Sequence, residues 1–103
     1  MSIDKSTLAT QCMAVMLGVA NRAGFAAKTN ARGNIACSYR GKYRGEIVVI
    51  RSEFDRPGTL CPIASRGQHE LRALRDAMCD ALMEAGFLTP AIGTVRPHDE
   101  MRA

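Results

Sequence analysis

Apolar and polar positions follow two different periods along this chain, and the period changes twice. Over residues 6–23, Leu8, Cys12, Val15, Met16 and Val19 recur three or four apart, the stripe of an amphipathic helix. Asp4 or Ser6 is placed to cap its start, and Gly24 is placed to stop it. Met13, Leu17 and Ala20 fill the remaining sides, so this helix must be covered on more than one face. Either the domain sandwiches it, or its outer side, through Met13, Leu17 and Ala20, is the seam of a homodimer.

Beyond a basic connector at residues 26–33, the period drops to two. Residues 34–40 set Ile35, Cys37 and Tyr39 against Ala36, Ser38 and Arg40, the pattern of a half-exposed strand. Residues 46–52 carry Ile47, Val48, Val49 and Ile50, apolar on both faces, which predicts the centre of a sheet. Residues 59–65 contain Pro62, which has no N–H for a ladder and therefore belongs at an edge or a bulge. The links at 41–45 and 54–58 are short enough for hairpins, and the second contains Arg56-Pro57-Gly58, so the strands form an antiparallel meander.

Helical spacing then returns. Leu71, Leu74, Met78, Ala81, Leu82 and Ala85 share one face, opposite Arg72, Asp76, Asp80 and Glu84. Ser65 and Gln68 have the spacing of a capping box, and Gly86 ends the helix. Residues 87–90 are expected to fold back over the core, and residues 91–103 read as a flexible tail. The expectation is one α+β domain over residues 1–90: helix, three-stranded antiparallel meander, helix, with both helices on one face of the sheet.

Composition changes this picture little, but charge changes it more. A chain of 103 residues is the size of one domain, and 47% hydrophobic with 23% charged residues excludes collagen-like and largely disordered classes. The net charge of +4 is unevenly spread. Lys5, Arg22, Lys28, Arg32, Arg40, Lys42 and Arg44 stand in a first half with no acid between positions 5 and 45, whereas the remainder is slightly acidic. A cationic half favours an anionic partner, either nucleic acid or an acidic protein surface. No leader pattern opens the chain, and the apolar run at residues 12–20 is far short of the ~20 residues needed to span a bilayer, so a cytoplasmic protein is expected.

Candidate chemistry is sparse. Cys12, Cys37, Cys61 and Cys79 include no C-x-x-C pair and no histidine at ligand spacing, so they read as small buried hydrophobes, with no metal site or cofactor expected. His69 begins the second helix and His98 lies in the tail, neither beside a nucleophile and carboxylate in a recognisable turn. Asp76, Asp80 and Glu84 have the spacing of a solvated helix face. No Gly-rich phosphate loop opens a helix, and an enzyme is not expected. Binding has a better candidate: Tyr39-Arg40-Gly41-Lys42-Tyr43-Arg44-Gly45 interleaves three cations with both tyrosines at a hairpin, and Arg32 lies close in sequence. Cations can meet phosphates or carboxylates, and a tyrosine ring can stack on a base or pack on a protein.

In element order the chain resembles double-stranded RNA-binding domains. Their basic cluster at the start of the second helix falls here on residues 65–71, where Arg66 is the only cation, and their histidine-bearing loop falls on residues 41–45, which hold none. In Arg22-Ala23-Gly24-Phe25 followed by a basic strand it is also similar to small RNA-cleaving toxins, whose catalytic histidine falls near Ile35. The reading carried forward is a small non-enzymatic regulatory protein, of the accessory or inhibitor kind that phage and mobile elements encode. It would dock an acidic macromolecular surface through Arg32, Tyr39, Arg40, Lys42, Tyr43 and Arg44. The alternative is a nucleic-acid-binding module using the same hairpin on phosphates.

Overall fold

A computed structural model describes residues 5–89, so the expected tail at 91–103, together with Asp4, Pro90 and His98, lies outside the described residues. Helix α1 spans Lys5–Arg22, strands β1 to β4 span Ala26–Thr29, Ile35–Tyr39, Tyr43–Arg51 and Leu60–Arg66, and helix α2 spans His69–Glu84. The strands form one antiparallel sheet in the order β1-β2-β3-β4. The α+β class and the meander therefore stand, with four strands instead of three.

The extra strand, β1, lies within what reads as a basic connector. Its four residues, Ala26, Ala27, Lys28 and Thr29, are mostly exposed and too few to display a period. Pairing with β2, from Ala26 opposite Ser38 to Thr29 opposite Ile35, holds it in place instead of burial. With four strands, the element order departs from that of the double-stranded RNA-binding domains.

Both helices end alike. After α1, Gly24 takes φ 91°, its N–H donates to Asn21 O at 3.1 Å, and Phe25 N–H donates to Ala20 O at 2.9 Å. After α2, Gly86 takes φ 85°, donating to Met83 O at 3.1 Å, and Phe87 N–H reaches Leu82 O at 2.9 Å. This is the Schellman pattern, which satisfies the last carbonyls and turns an apolar residue back onto the helix. Phe25 is buried, and Phe87 and Leu88 pack against the core, the fold-back expected after Gly86. The capping box does not form: Ser65 belongs to β4, and Gln68, the N-cap, makes no side-chain bond to the helix.

A single apolar core joins α1, α2 and one face of the sheet. Cys12, Met16, Val19 and Ala20 from α1 meet Leu71, Leu74, Met78 and Leu82 from α2 over Ile35, Cys37 and Ile47. Helix α1 is covered by α2 and by the sheet, while Thr7, Thr10, Gln11 and Ala14 stay exposed on its remaining side. Ala20 is fully buried inside this core and has no place in a subunit seam, while Met13 and Leu17 pack at its margin. In β3 the expectation of two buried faces is only half met, because Ile47 is buried and Ile50 is 46% exposed. Pro62 sits where expected, in an edge strand and opposite Val49 at a shift of register.

The two edges of the sheet differ. Along β4, the Ile63 carbonyl accepts from Arg75 at 2.9 Å and the Pro62 carbonyl from the Cys79 thiol at 3.4 Å, so side chains of α2 engage that edge. Among the described residues, strand β1 pairs on one side alone.

Candidate functional site

The β2–β3 connection is tighter than residues 41–45. Lys42 N–H donates to Tyr39 O at 2.8 Å, and Arg40 and Gly41 take φ 49° and 70°, a two-residue turn with the primed twist that suits a hairpin. Tyr43, Arg44 and Gly45 are therefore strand residues, with Tyr43 paired to Tyr39, Arg44 to Ser38 and Gly45 to Cys37. The predicted tip cluster divides in two. Arg40 and Lys42 stay exposed at the turn, while Arg44 moves onto the face of the sheet turned away from the helices.

Tyr39 faces the other way. Its ring packs against Phe25, with centroids 5.2 Å apart and planes tilted by 52°, and belongs to the margin of the core. A Cβ on Gly24 would come within 2.9 Å of that ring, so close packing as well as positive φ explains the glycine. Arg40 lies over the ring at 5.3 Å from its centre. Tyr39, expected among the partner-binding residues, is thus a packing residue of the core margin that seats a cation.

The outward face is built by register. Ala26, Ser38 and Arg44 form one row across β1, β2 and β3, and Lys28, Ala36, Glu46 and Arg66 form the next across all four strands. The small side chains at Ala26, Ala36 and Ser38 leave an open hollow of about 600 Å³ flanked by Lys28 and Arg44. Neither cation has a carboxylate partner among the described residues. Val48 and Ile50 continue the same face with apolar surface.

Glu46 organises the rest of the row. Its carboxylate accepts from the Asn30 side chain and lies 3.8 Å from Arg32 and 3.9 Å from Arg66. The Asn30 amide holds its acid below the usual carboxylate range against the opposing effect of burial, helped by the Asn34 amide and the two guanidinium groups. Asn30 Oδ1 in turn accepts the N–H groups of Arg32 and Asn34, each at 3.0 Å, which shapes the β1–β2 loop and sets Arg32 on the rim. Arg32 therefore reaches the site through Glu46.

Lys28, Glu46 and Arg66 are the members of this face that the hairpin reading passes over. Their signal is the cross-strand register, which needs β1 to be recognised as a strand. Gly45 has a different role from loop freedom: a Cβ there would run into the Arg66 carbonyl and the Leu71 side chain, so α2 seats directly on it. His69 stands exposed at the start of α2, and Asp76 pairs with Arg75 at 2.6 Å.

The cysteines also divide. Cys12 and Cys37 are buried in the core, where burial raises both thiols, Cys37 to about 11. Cys61 on β4 and Cys79 on α2 are partly exposed and lie against one another at the sheet edge. Compared with known protein families, with curated proteins and with solved structures, the chain matches none.

Proposed function

We propose that this protein is a non-enzymatic docking module whose open sheet face receives an acidic segment of another protein. The observation that carries the reading is the hollow over Ala26, Ala36 and Ser38, with Lys28 and Arg44 at its sides, neither ion-paired among the described residues. Small side chains let an extended backbone approach closely, and two cations without carboxylate partners among the described residues favour carboxylates in that segment. Arg40 and Lys42 at the turn lengthen the cationic track, while Val48 and Ile50 offer apolar contact beside it. That mixture suits a protein surface better than a sugar-phosphate backbone. Of the rings beside the hairpin, Tyr39 packs against Phe25 and is therefore not open for base stacking.

The test uses a fluorescent polyglutamate peptide alongside single-stranded and duplex oligonucleotides, with binding followed by anisotropy at low salt. Lys28→Glu combined with Arg44→Glu is expected to weaken peptide binding about tenfold or more with the circular dichroism spectrum unchanged. Peptide binding that survives this double reversal, or oligonucleotide binding that is tighter and falls more steeply with salt, overturns the reading.

A further inference from the structure

We propose that Cys61 and Cys79 form a thiol–disulfide exchange site, in which Cys61 is the attacking thiol, Cys79 the resolving thiol, and the co-reactant a small disulfide such as oxidised glutathione. The geometry begins with the Pro62 carbonyl. Cys61 Sγ lies 3.7 Å from this oxygen and Cys79 Sγ 3.4 Å from it, so a strand thiol and a helix thiol converge on one point. The two thiols are also close enough that a hydrogen bond from Cys79 to Cys61, in place of the one to the Pro62 carbonyl, is the largest influence on the acidity of each. Both remain partly exposed, within reach of a small reagent, whereas Cys12 and Cys37 are enclosed. Among the described residues no third histidine, cysteine or carboxylate joins them as a metal-holding group, which leaves a dithiol.

The surroundings divide the labour between the two sulfurs. The bond from Cys79 brings the Cys61 thiol down to about 7, against the opposing effects of burial and of Asp55 in the β3–β4 loop, while Arg75 on α2 helps lower it. Cys79 is pushed up by the same bond, by burial, by the charge on Cys61 and weakly by Asp76, with Arg75 opposing. Arg75 is well placed for this work. One of its terminal nitrogens holds the Ile63 carbonyl, and its buried Nε has no hydrogen-bond partner among the described residues.

Exchange runs in two balanced steps. The Cys61 thiolate attacks one sulfur of the small disulfide; that S–S bond breaks, a Cys61 mixed disulfide forms, and the first small thiolate leaves and takes a proton from water. Capture of Cys61 removes both the bond and the charge that held Cys79 protonated. Cys79 then releases its proton to water and attacks Cys61 Sγ, forming the Cys61–Cys79 disulfide and expelling the second small thiol. Two protein thiols are oxidised by two electrons, and one small disulfide is reduced to two thiols. The bridge ties β4 to α2.

The full-length chain is incubated near neutral pH with oxidised glutathione, quenched in acid and mapped by mass spectrometry. The expected product is lighter by two hydrogens, joins the Cys61 peptide to the Cys79 peptide, and leaves Cys12 and Cys37 as free thiols. Cys79→Ser is expected to stop at a glutathione adduct on Cys61, and Cys61→Ser to acquire none on Cys79. Glutathione spread evenly over the four cysteines, or an oxidised chain without the Cys61–Cys79 link, overturns the proposal. Should either variant fail to fold, limiting iodoacetamide on the native chain decides the matter. Cys61 is expected to react about tenfold faster than Cys12 or Cys37, with a half-maximal rate near pH 7. Equal rates at these three cysteines refute it.

Discussion

Thr59 is fully buried, and its hydroxyl has no hydrogen-bond partner among the described residues. A lone buried hydroxyl costs more than a methyl of the same shape, since water solvates it in the unfolded chain and nothing replaces that bond in the fold. Thr59→Val is therefore expected to stabilise by about 1 kcal/mol, raising Tm by roughly 5 °C in a thermal melt. An unchanged or lower Tm would mean that the hydroxyl is satisfied in solution. Glu46 acts in the opposite sense. Its hydrogen bonds hold the folded acid below the unfolded one, so its contribution is present at neutral pH and is lost as pH falls through the folded value. Glu46→Gln is expected to flatten the decline of urea-unfolding stability on acidification, and parallel declines in the two proteins would contradict that role.

Elements in this fold meet where side chains are absent or small. Strand β3 can pass beneath α2 only because Gly45 presents no Cβ to Leu71 and to the Arg66 carbonyl. Gly45→Ala is expected to destabilise by about 2–3 kcal/mol through overpacking, measured as a lower midpoint in urea. A cost within a few tenths of a kcal/mol would show that α2 shifts freely over the sheet. The helix ends carry the complementary device, a left-handed glycine that throws Phe25 or Phe87 back onto the core. Those glycines were legible in sequence because a helix stop is a local event. The capping box was not, because residues 60–66 pair with β3 and hold Ser65 in the sheet.

At the scale of the molecule, what could be read beforehand was what each segment decides for itself: two amphipathic helices, the Arg56-Pro57-Gly58 turn, and Pro62 at an edge. What could not be read depends on partners distant in sequence. Strand β1 exists through its ladder with β2, Tyr39 turns inward to meet Phe25, and the Cys61–Cys79 contact needs α2 to lie along β4. The cationic sheet face is half legible in sequence, since Arg44 falls within the basic hairpin but its neighbours Lys28 and Glu46 are supplied by register. The unequal edges of the sheet set one more condition. With α2 engaging the β4 rim, the ladder left open among the described residues is that of β1, where an added strand would pair. Two chains joined through that rim would each use it up and present only the engaged rim outward, so growth would halt at a symmetric pair instead of running on into a fibre.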